Sequence, residues 1–450
     1  MKKTAGAAVA AVLIAGIHGS AGAEGEAEAL TIQHPVTKEV SLQAHNWPEQ
    51  IARFSFDSGF DFEYPDAVRG IFVTGHSAGG SRFDDLLQLV DDTALNAMVI
   101  DVKEDDGYIT FTPEEASPYI DISQPMIKDP EEMMRTLEEN DIYPIARIVA
   151  FKDTLLAEER PDLSFTQNGE VWKNSRGEAF TNPFLQEVWD YNVDVAIMAA
   201  EMGFEDIQLD YVRFPEGFEN RDEDLDYDTG EYTDRPGDNV SRRVDAVTEF
   251  IEYTREALEP YDVELSADVF GYAATIPAAP GIGQDFSKIA DNVDVMSSMI
   301  YPSHWGPYFG IDQPDLYPYD LVDEYSQVEN EVLGALDDPP VSRPWIRDFT
   351  ASYLGSGNYL NYGVEEVEAQ IQAMYDNDIY EFLLWNASNR YTEGVDYLLD
   401  VNPDDLERGR LAGSGDDDED ESDAEEDSGD ETPEEDDDNN NEPDADDNEE

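Results

Sequence analysis

The sequence predicts an α/β fold, a closed (β/α)8 barrel followed by an acidic tail. Two observations carry this. Apolar, strand-like runs alternate with amphipathic helical patterns eight times between Val68 and Ser388, with no split in the middle. Carboxylates and aromatics also gather at the C-terminal ends of those runs. Alternation of this kind builds a parallel sheet, and eight units in one stretch close it. An open doubly wound sheet is the alternative, since eight strands can also lie open.

The first run is VRGIFVTG, Val68 to Gly75, and a helix over about Arg82 to Thr93 follows it. Phe83, Leu86, Leu87 and Val90 lie on one face of that helix. NAMVIDVKED (Asn96 to Asp105) is the second strand. The helix Asp129 to Asn140 has Asp129 at its N-cap, Pro130 at its first position and acids in its first turn. IYPIARIVAF (Ile142 to Phe151) is the third strand. A long loop, Lys152 to Pro183, carries turn signals at Asn168-Gly169 and Arg176-Gly177.

Phe184, Val188, Tyr191, Val195, Met198 and Met202 mark a long helix before the fourth strand, DIQLDYVRFP (Asp206 to Pro215). A helix over Val240 to Leu258 leads to VELSADVFG (Val263 to Gly271). Phe286 to Ala290 leads to DVMSSMIYPSHW (Asp294 to Trp305). Leu321 to Leu336 leads to RPWIRDFTA (Arg343 to Ala351), and Val364 to Tyr375 leads to YEFLLWNAS (Tyr380 to Ser388).

The flanks differ from this core. Lys2 and Lys3, an apolar run from Ala5 to Ile17 and Ala21-Gly22-Ala23 predict a secretory signal peptide over 1–23. An extracellular or periplasmic location follows. Residues 24–66 read as a lead-in with little structure of their own, 67–405 as the barrel, and 406–450 as a disordered acidic tail. No segment approaches the roughly 18 apolar residues of a membrane span.

The chain carries 105 acidic and 26 basic residues. Residues 411–450 hold 23 of those acids and no base, which leaves a net charge of −56 on residues 1–410. A surface this acidic repels nucleic acid and suits high salt, where self-repulsion is screened. There is no cysteine, which excludes disulfides, thiolate catalysis and cysteine-bound metals.

In a barrel the strand C-termini meet at one face, and chemistry belongs there. That face gathers Asp101, Lys103, Arg147, Asp210, Arg213, Asp268, Tyr301, His304, Trp305, Asp348, Trp385 and Asn386. Rings that stack on sugar faces, beside carboxylates and amides that take hydroxyls, describe a carbohydrate cleft. Glycoside hydrolysis needs two carboxyl groups. Asp210 and Asp268, on neighbouring strands, are the leading catalytic pair, and the others are candidate substrate contacts.

Two motifs point elsewhere. Gly75-His76-Ser77-Ala78-Gly79 matches the G-x-S-x-G nucleophile pattern, with Asp268 and His304 available downstream. It lies on the first core strand, which leaves no upstream strand for an oxyanion hole. The acids Asp222, Asp224, Asp226 and Asp228 invite a calcium site, but Thr229 and Arg235 stand where an EF-hand requires Gly and Glu. They read as a solvated loop, and no metal or cofactor is expected.

VRGIFVTGHSAGG, NAMVIDVKEDDG, PIARIVAFKD, GFEDIQLDYVRFP, SADVFGYA, MIYPSHW and LLWNASNRYT together resemble a bacterial glycoside hydrolase family long catalogued as a domain of unknown function. The resemblance covers roughly Ala67 to Val401. It implies a TIM barrel, a glycosidase-like activity and Asp210 as the catalytic acid on the fourth strand. It also implies that GHSAG arises by one substitution, since the family carries an aromatic where His76 stands. The expected function is a secreted glycosidase acting on cell-envelope or extracellular polysaccharide. The alternatives are a barrel that binds carbohydrate without cleaving it, and a serine esterase using Ser77.

Overall fold

The structure, a computed structural model, describes residues 56–113, 117–279 and 281–411, with the backbone alone of Leu30–Gln33, Glu39–Leu42 and Arg410–Leu411. The expected signal peptide and residues 412–450 of the expected tail lie outside the described residues. Residues 1–54 form a separate unit. Within it Leu30–Gln33 pairs antiparallel with Glu39–Leu42, two short strands where none was expected.

The second unit is the barrel. Its strands are β1 Arg69–Val73, β2 Ala97–Lys103, β3 Tyr143–Val149, β4 Asp206–Asp210, β5 Glu264–Phe270, β6 Val295–Met299, β7 in two pieces (Val341–Ser342 and Trp345–Arg347) and β8 Phe382–Trp385. All barrel pairings are parallel, and β8 returns to β1 with Phe382 opposite Arg69 and Leu384 opposite Ile71. The sheet therefore closes on itself, and the open-sheet alternative fails. Closure buries both faces of each strand, which is why the runs read as nearly continuous apolar sequence. All seven residues of β2 and of β3 are buried.

Seven helices alternate with the strands: α1 Arg82–Asp91, α2 Pro130–Glu139, α3 Gln186–Met202, α4 Asn239–Leu258, α5 Phe286–Ala290, α6 Pro318–Leu333 and α7 Val364–Tyr375. α2 starts where its sequence says it should. The Asp129 carboxylate accepts the Glu132 N–H, and Met133, Met134 and Leu137 face the sheet. Such a cap is worth about 1 kcal/mol. α3 ends at Gly203, at φ 105°, where a Cβ would stand 2.6 Å from the Phe60 ring. Only glycine meets both demands there.

β7 differs from its expected span. It begins at Val341 and breaks at Arg343-Pro344, because Pro344 has no N–H for the ladder. Its carbonyl still accepts the Leu383 N–H at 2.9 Å. The ordered chain also runs past Asp405: Leu406–Glu407 pairs with Arg410–Leu411, and the Gly409 N–H reaches the Asp66 carbonyl at 2.8 Å.

The barrel interior is polar in layers. At the N-terminal end Arg343 is fully buried. It donates to Asp206 (2.6 Å), Glu381 (2.7 Å) and the Tyr64 hydroxyl (2.8 Å). Higher up, the Gln208 amide meets Ser297 Oγ at 3.2 Å. Phe72, Val99, Ile145, Trp345 and Leu383 fill the space between. Gly70 leaves room for this layer, since a Cβ there would lie 2.6 Å from Leu383 Cδ2.

Two long connections stand over the C-terminal end. The one after β3 turns at Asn168 (φ 55°) and Gly169 (φ 83°) between Thr166–Gln167 and Glu170–Val171, as an Asn-Gly hairpin should. It locks onto the connection after β4 through a Thr166–Asp226 bridge and a ring cluster. In that cluster Phe165 lies 4.8 Å from Phe218 and Phe184 lies 5.0 Å from Phe214. These rings are a small core of their own and are not free to stack on a ligand.

Candidate active site

The site begins with a register. Leu209 on β4 lies opposite Ala267 on β5, so the next residues, Asp210 and Asp268, are neighbours with side chains on the same side of the sheet. The backbone turns immediately after Asp210. Tyr211 sits at φ 50°, and its N–H returns to Asp210 Oδ1 at 2.6 Å. Non-glycine residues rarely adopt that conformation, and it concentrates at functional sites.

Asp210 Oδ2 accepts two hydrogen bonds from Arg147, from Nε at 2.8 Å and Nη2 at 2.6 Å. Arg147 Nη1 donates to Asp101 Oδ1 at 2.7 Å. One guanidinium thus bridges carboxylates from β2 and β4. Its carbon lies 5.3 Å from the centroids of both Phe72 and Trp385, which stack 4.2 Å apart. Packing against rings fixes the plane of the fork, which a lysine could not match.

Asp268 has a different environment. It is 2% exposed, and Oδ1 accepts the Trp345 indole N–H at 2.7 Å. Its partner on β6 is Ser297, small enough to leave the path to β7 open. Burial, then the nearby negative charge of Asp210, push the Asp268 carboxyl well above the ordinary carboxylate range, against the pull of the Trp345 hydrogen bond. Asp268 therefore holds its proton more firmly than an ordinary carboxyl does, beside an ion-paired Asp210. Two carboxyls held in opposite environments are how a site assigns acid and base.

Asp101 is the third carboxyl. Burial raises it to about 7 in spite of Arg147. Asp105 goes the other way: burial would raise it, but Arg147 and Lys152 together hold it at about 2. Lys152 pairs with Asp105 and lies 4.1 Å from the Tyr211 ring. The Tyr301 phenol, pushed well up by burial and then by Asp268 and Asp210, stays neutral over the pair.

A cavity of about 250 Å³ opens on the Asp101 side, walled by Phe72, Trp385, His76, Glu104 and Tyr108. Asp210 and Asp268 lie beside it and not on its wall. A larger concavity, about 850 Å³, lies at the opposite end of the barrel among Glu264, Asp294, Arg255 and Arg408. It holds two ion pairs, Arg255 to Asp294 and Arg408 to Glu264, with Asp291, Asp337 and Asp338 beside them, and barrel chemistry sits at the other face.

Several expected substrate contacts sit elsewhere. Lys103 is fully buried and faces α3, with its ammonium on Asp153 (2.8 Å) and Asn192 (3.1 Å). The reason is a register shift between Asp101 and Lys103, which sends two residues of like parity to opposite sides. Arg213 is buried among the rings of Tyr211 (4.8 Å) and Phe270 (4.6 Å). Asp348 accepts the Thr392 N–H (2.8 Å) and hydroxyl (2.5 Å), and Asn386 donates to the carbonyls of Asp348 and Arg390. Both fix the loop after β8. Arg147 positions carboxylates and has no free fork for a ligand. Trp385 lines the cavity, while His304 is exposed on the rim with Ser303 Oγ 3.1 Å from Nδ1, and Trp305 packs 5.2 Å from Tyr308.

Phe72 and Trp345 were missed by sequence reasoning. Strand parity could have found Trp345, which stands two residues from Arg343 and shares its inward face.

The serine-esterase arrangement does not assemble. Ser77 lies in the one-turn helix Gly75–Ala78, and its hydroxyl accepts from Thr74 at 3.1 Å. The hydrogen-bond partner of Asp268 is Trp345 and that of His304 is Ser303. In the acidic loop, Asp222 accepts from Tyr227, from Asn239 (2.8 Å) and from Arg243 (3.0 Å). Among the described residues no group of three or more His, Asp or Glu is placed to hold a metal ion. No helix among them is long and apolar enough to cross a membrane.

A closed (β/α)8 barrel with carboxyls at its C-terminal face is the architecture of a barrel enzyme. Residues 70–391, well over half of the chain, match the family described as "Putative glycosyl hydrolase domain", and the chain belongs to that family. Among solved structures, a hypothetical protein from Ruminiclostridium thermocellum is 30% identical over 44% of this chain and 97% of its own, with a TM-score of 0.38. The glycoside hydrolase domain of PgaB (BpsB) from Bordetella bronchiseptica is 13% identical over 72% of this chain and 95% of its own, at 0.49. A β-galactosidase from Marinomonas ef1 is 12% identical over 71% and 54%, at 0.48. These scores are low, so the fold rests on this chain's own strand ladder and the family on the match over 70–391. No curated protein matches the sequence.

Proposed function

We propose that this protein is a secreted glycosidase that cleaves a cell-envelope or extracellular polysaccharide, with Asp268 as general acid and Asp210 as the charged partner. The observation that carries this reading is the buried Asp268, its carboxyl pushed upward and held by Trp345, beside the Arg147-paired Asp210 on the neighbouring strand. Asp268 gives its proton to the glycosidic oxygen as the bond to the anomeric carbon breaks. Asp210 supplies negative charge where positive charge develops on the sugar, and a water replaces the leaving group and returns the proton. The family resemblance assigned the acid to Asp210; the two environments favour the reverse. Secretion is supported by the signal-like first 23 residues, and the carbohydrate substrate by the family.

One observation favours the rival, a barrel that binds glycans without cleaving them: both Arg147 hydrogen bonds fall on Asp210 Oδ2. Released reducing ends from cell-wall and exopolysaccharide fractions separate the two. The expected outcome is release by the wild type and by Ser77→Ala alike. Release by neither supports the binding barrel, and hydrolysis of an activated ester that Ser77→Ala abolishes supports the esterase.

The charge supports a working environment of high salt. A net −56 on residues 1–410 repels itself across about 10 Å at 0.1 M ionic strength but only about 3 Å at 1 M. The melting temperature should rise clearly between dilute buffer and molar NaCl. A flat profile would remove the halophilic part of the proposal.

A further inference from the structure

Four large hydrophobic side chains are notably exposed among the described residues: Tyr272 (37%), Tyr308 (38%), Tyr317 (52%) and Tyr353 (66%). Singly, such exposure needs no explanation. Their placement does. Tyr272 follows β5, Tyr308 and Tyr317 follow β6, and Tyr353 follows β7. All four are at the C-terminal end of the barrel, on one arc of the mouth. On the adjoining arc, the rings after β3 and β4 are packed against one another.

The three loops are tied together. The Tyr308 hydroxyl donates to Thr275 Oγ1 at 2.8 Å, joining the loops after β5 and β6. Gln313 Nε2 donates to Asn358 Oδ1 at 3.2 Å, and the Leu360 N–H reaches Asp315 at 3.2 Å, joining those after β6 and β7. The rings therefore stand on a braced rim. They are also continuous with the carboxylate pair. Tyr301 over that pair lies 6.4 Å from Trp385 and 5.4 Å from His304, next in the chain to Trp305, which packs on Tyr308.

We propose that this rim is a row of glycan subsites beyond the carboxylate pair, so that the substrate is an oligosaccharide chain several units long and not a terminal sugar alone. The proposal rests on the glycosidase reading and names the substrate class of that same site. Flat phenol rings held open to solvent on an otherwise strongly acidic surface offer stacking faces for pyranose C–H groups without demanding charge on the ligand. A row of them selects by length.

The test is calorimetric titration of the Asp268→Asn protein, in which turnover is blocked, with cellohexaose, maltohexaose and N-acetylated chitohexaose and with the disaccharide of each series. At least one hexasaccharide should bind tenfold or more tightly than its disaccharide. Tyr308→Ala and Tyr353→Ala should each bring that ratio down, and Tyr308→Phe, which keeps the ring and loses only the tie to Thr275, should largely restore it. Equal affinities in every series, no binding in any, or a ratio that survives both alanine variants would each overturn the proposal. If the length dependence holds while Asp210→Asn leaves hydrolysis intact, the subsites stand and the catalytic assignment falls.

Discussion

Asp210→Asn should lower turnover of the polysaccharide by at least the 10²–10⁴-fold typical of a lost acid–base group, with the melting temperature little changed. Asparagine keeps the side chain's shape, and its single carbonyl oxygen can turn to Arg147, leaving the NH2 toward the Tyr211 N–H in place of that one hydrogen bond; the Arg147 bridge to Asp101 does not run through Asp210 and persists. What disappears is the negative charge at the reacting carbon. Asp268 changes as well. Its carboxyl is held up by burial first and by the Asp210 charge second, so removing that charge lets its proton leave at lower pH. The residual activity of Asp210→Asn should therefore decline at a lower pH than that of the wild type, as the alkaline limb shifts down. A variant with wild-type rates, or one whose loss tracks unfolding, would remove Asp210 from the chemistry.

Arg343→Met should cost about 3–5 kcal/mol of stability, because it leaves buried carboxylates without their cation. Asp206, Glu381 and the Tyr64 hydroxyl all turn toward Arg343, and no water-facing route replaces it. Burial already lifts Asp206 above its ordinary value against the pull of Arg343. Without that pull the folded variant holds the Asp206 proton to still higher pH. A group raised in the folded state contributes stability that is full below the unfolded value, about 3.9, and is lost as pH rises through the folded one. The deficit should accordingly be smallest near pH 4 and grow toward neutrality and above, read by denaturant unfolding at each pH. A deficit independent of pH would mean that lost packing, not stranded charge, sets the cost.

The barrel was legible because a closed parallel sheet hides both faces of every strand. NAMVIDVKED and IYPIARIVAF read as strands for that reason, and Asp129-Pro130 marked a helix start that the structure keeps. The C-terminal ends of the strands named the residues that gather at the mouth, Asp101, Arg147, Asp210, Asp268, Tyr301 and Trp385 among them. Their partners were not legible. Nothing local says that Arg147 on β3 bridges β2 and β4, or that Ser297 leaves Asp268 free to reach Trp345 on β7. Lys103 looked like a companion of Asp101 because strands alternate, and one register shift turned it outward. Asp348 and Asn386 looked like ligand contacts because they end strands, yet the loop after β8 needs them for its own backbone.

The central claim is that Asp268 holds the proton given to the leaving group. A dinitrophenyl glycoside of the sugar that the polysaccharide releases needs no such proton, because its leaving group departs as a stable anion. Turnover of that glycoside and of the polysaccharide should be compared in wild type and Asp268→Asn. The account predicts that Asp268→Asn loses polysaccharide turnover by orders of magnitude, keeps most of its turnover on the dinitrophenyl glycoside, and no longer shows the alkaline decline of the wild type. Equal losses on both substrates, or no loss on either, would contradict it.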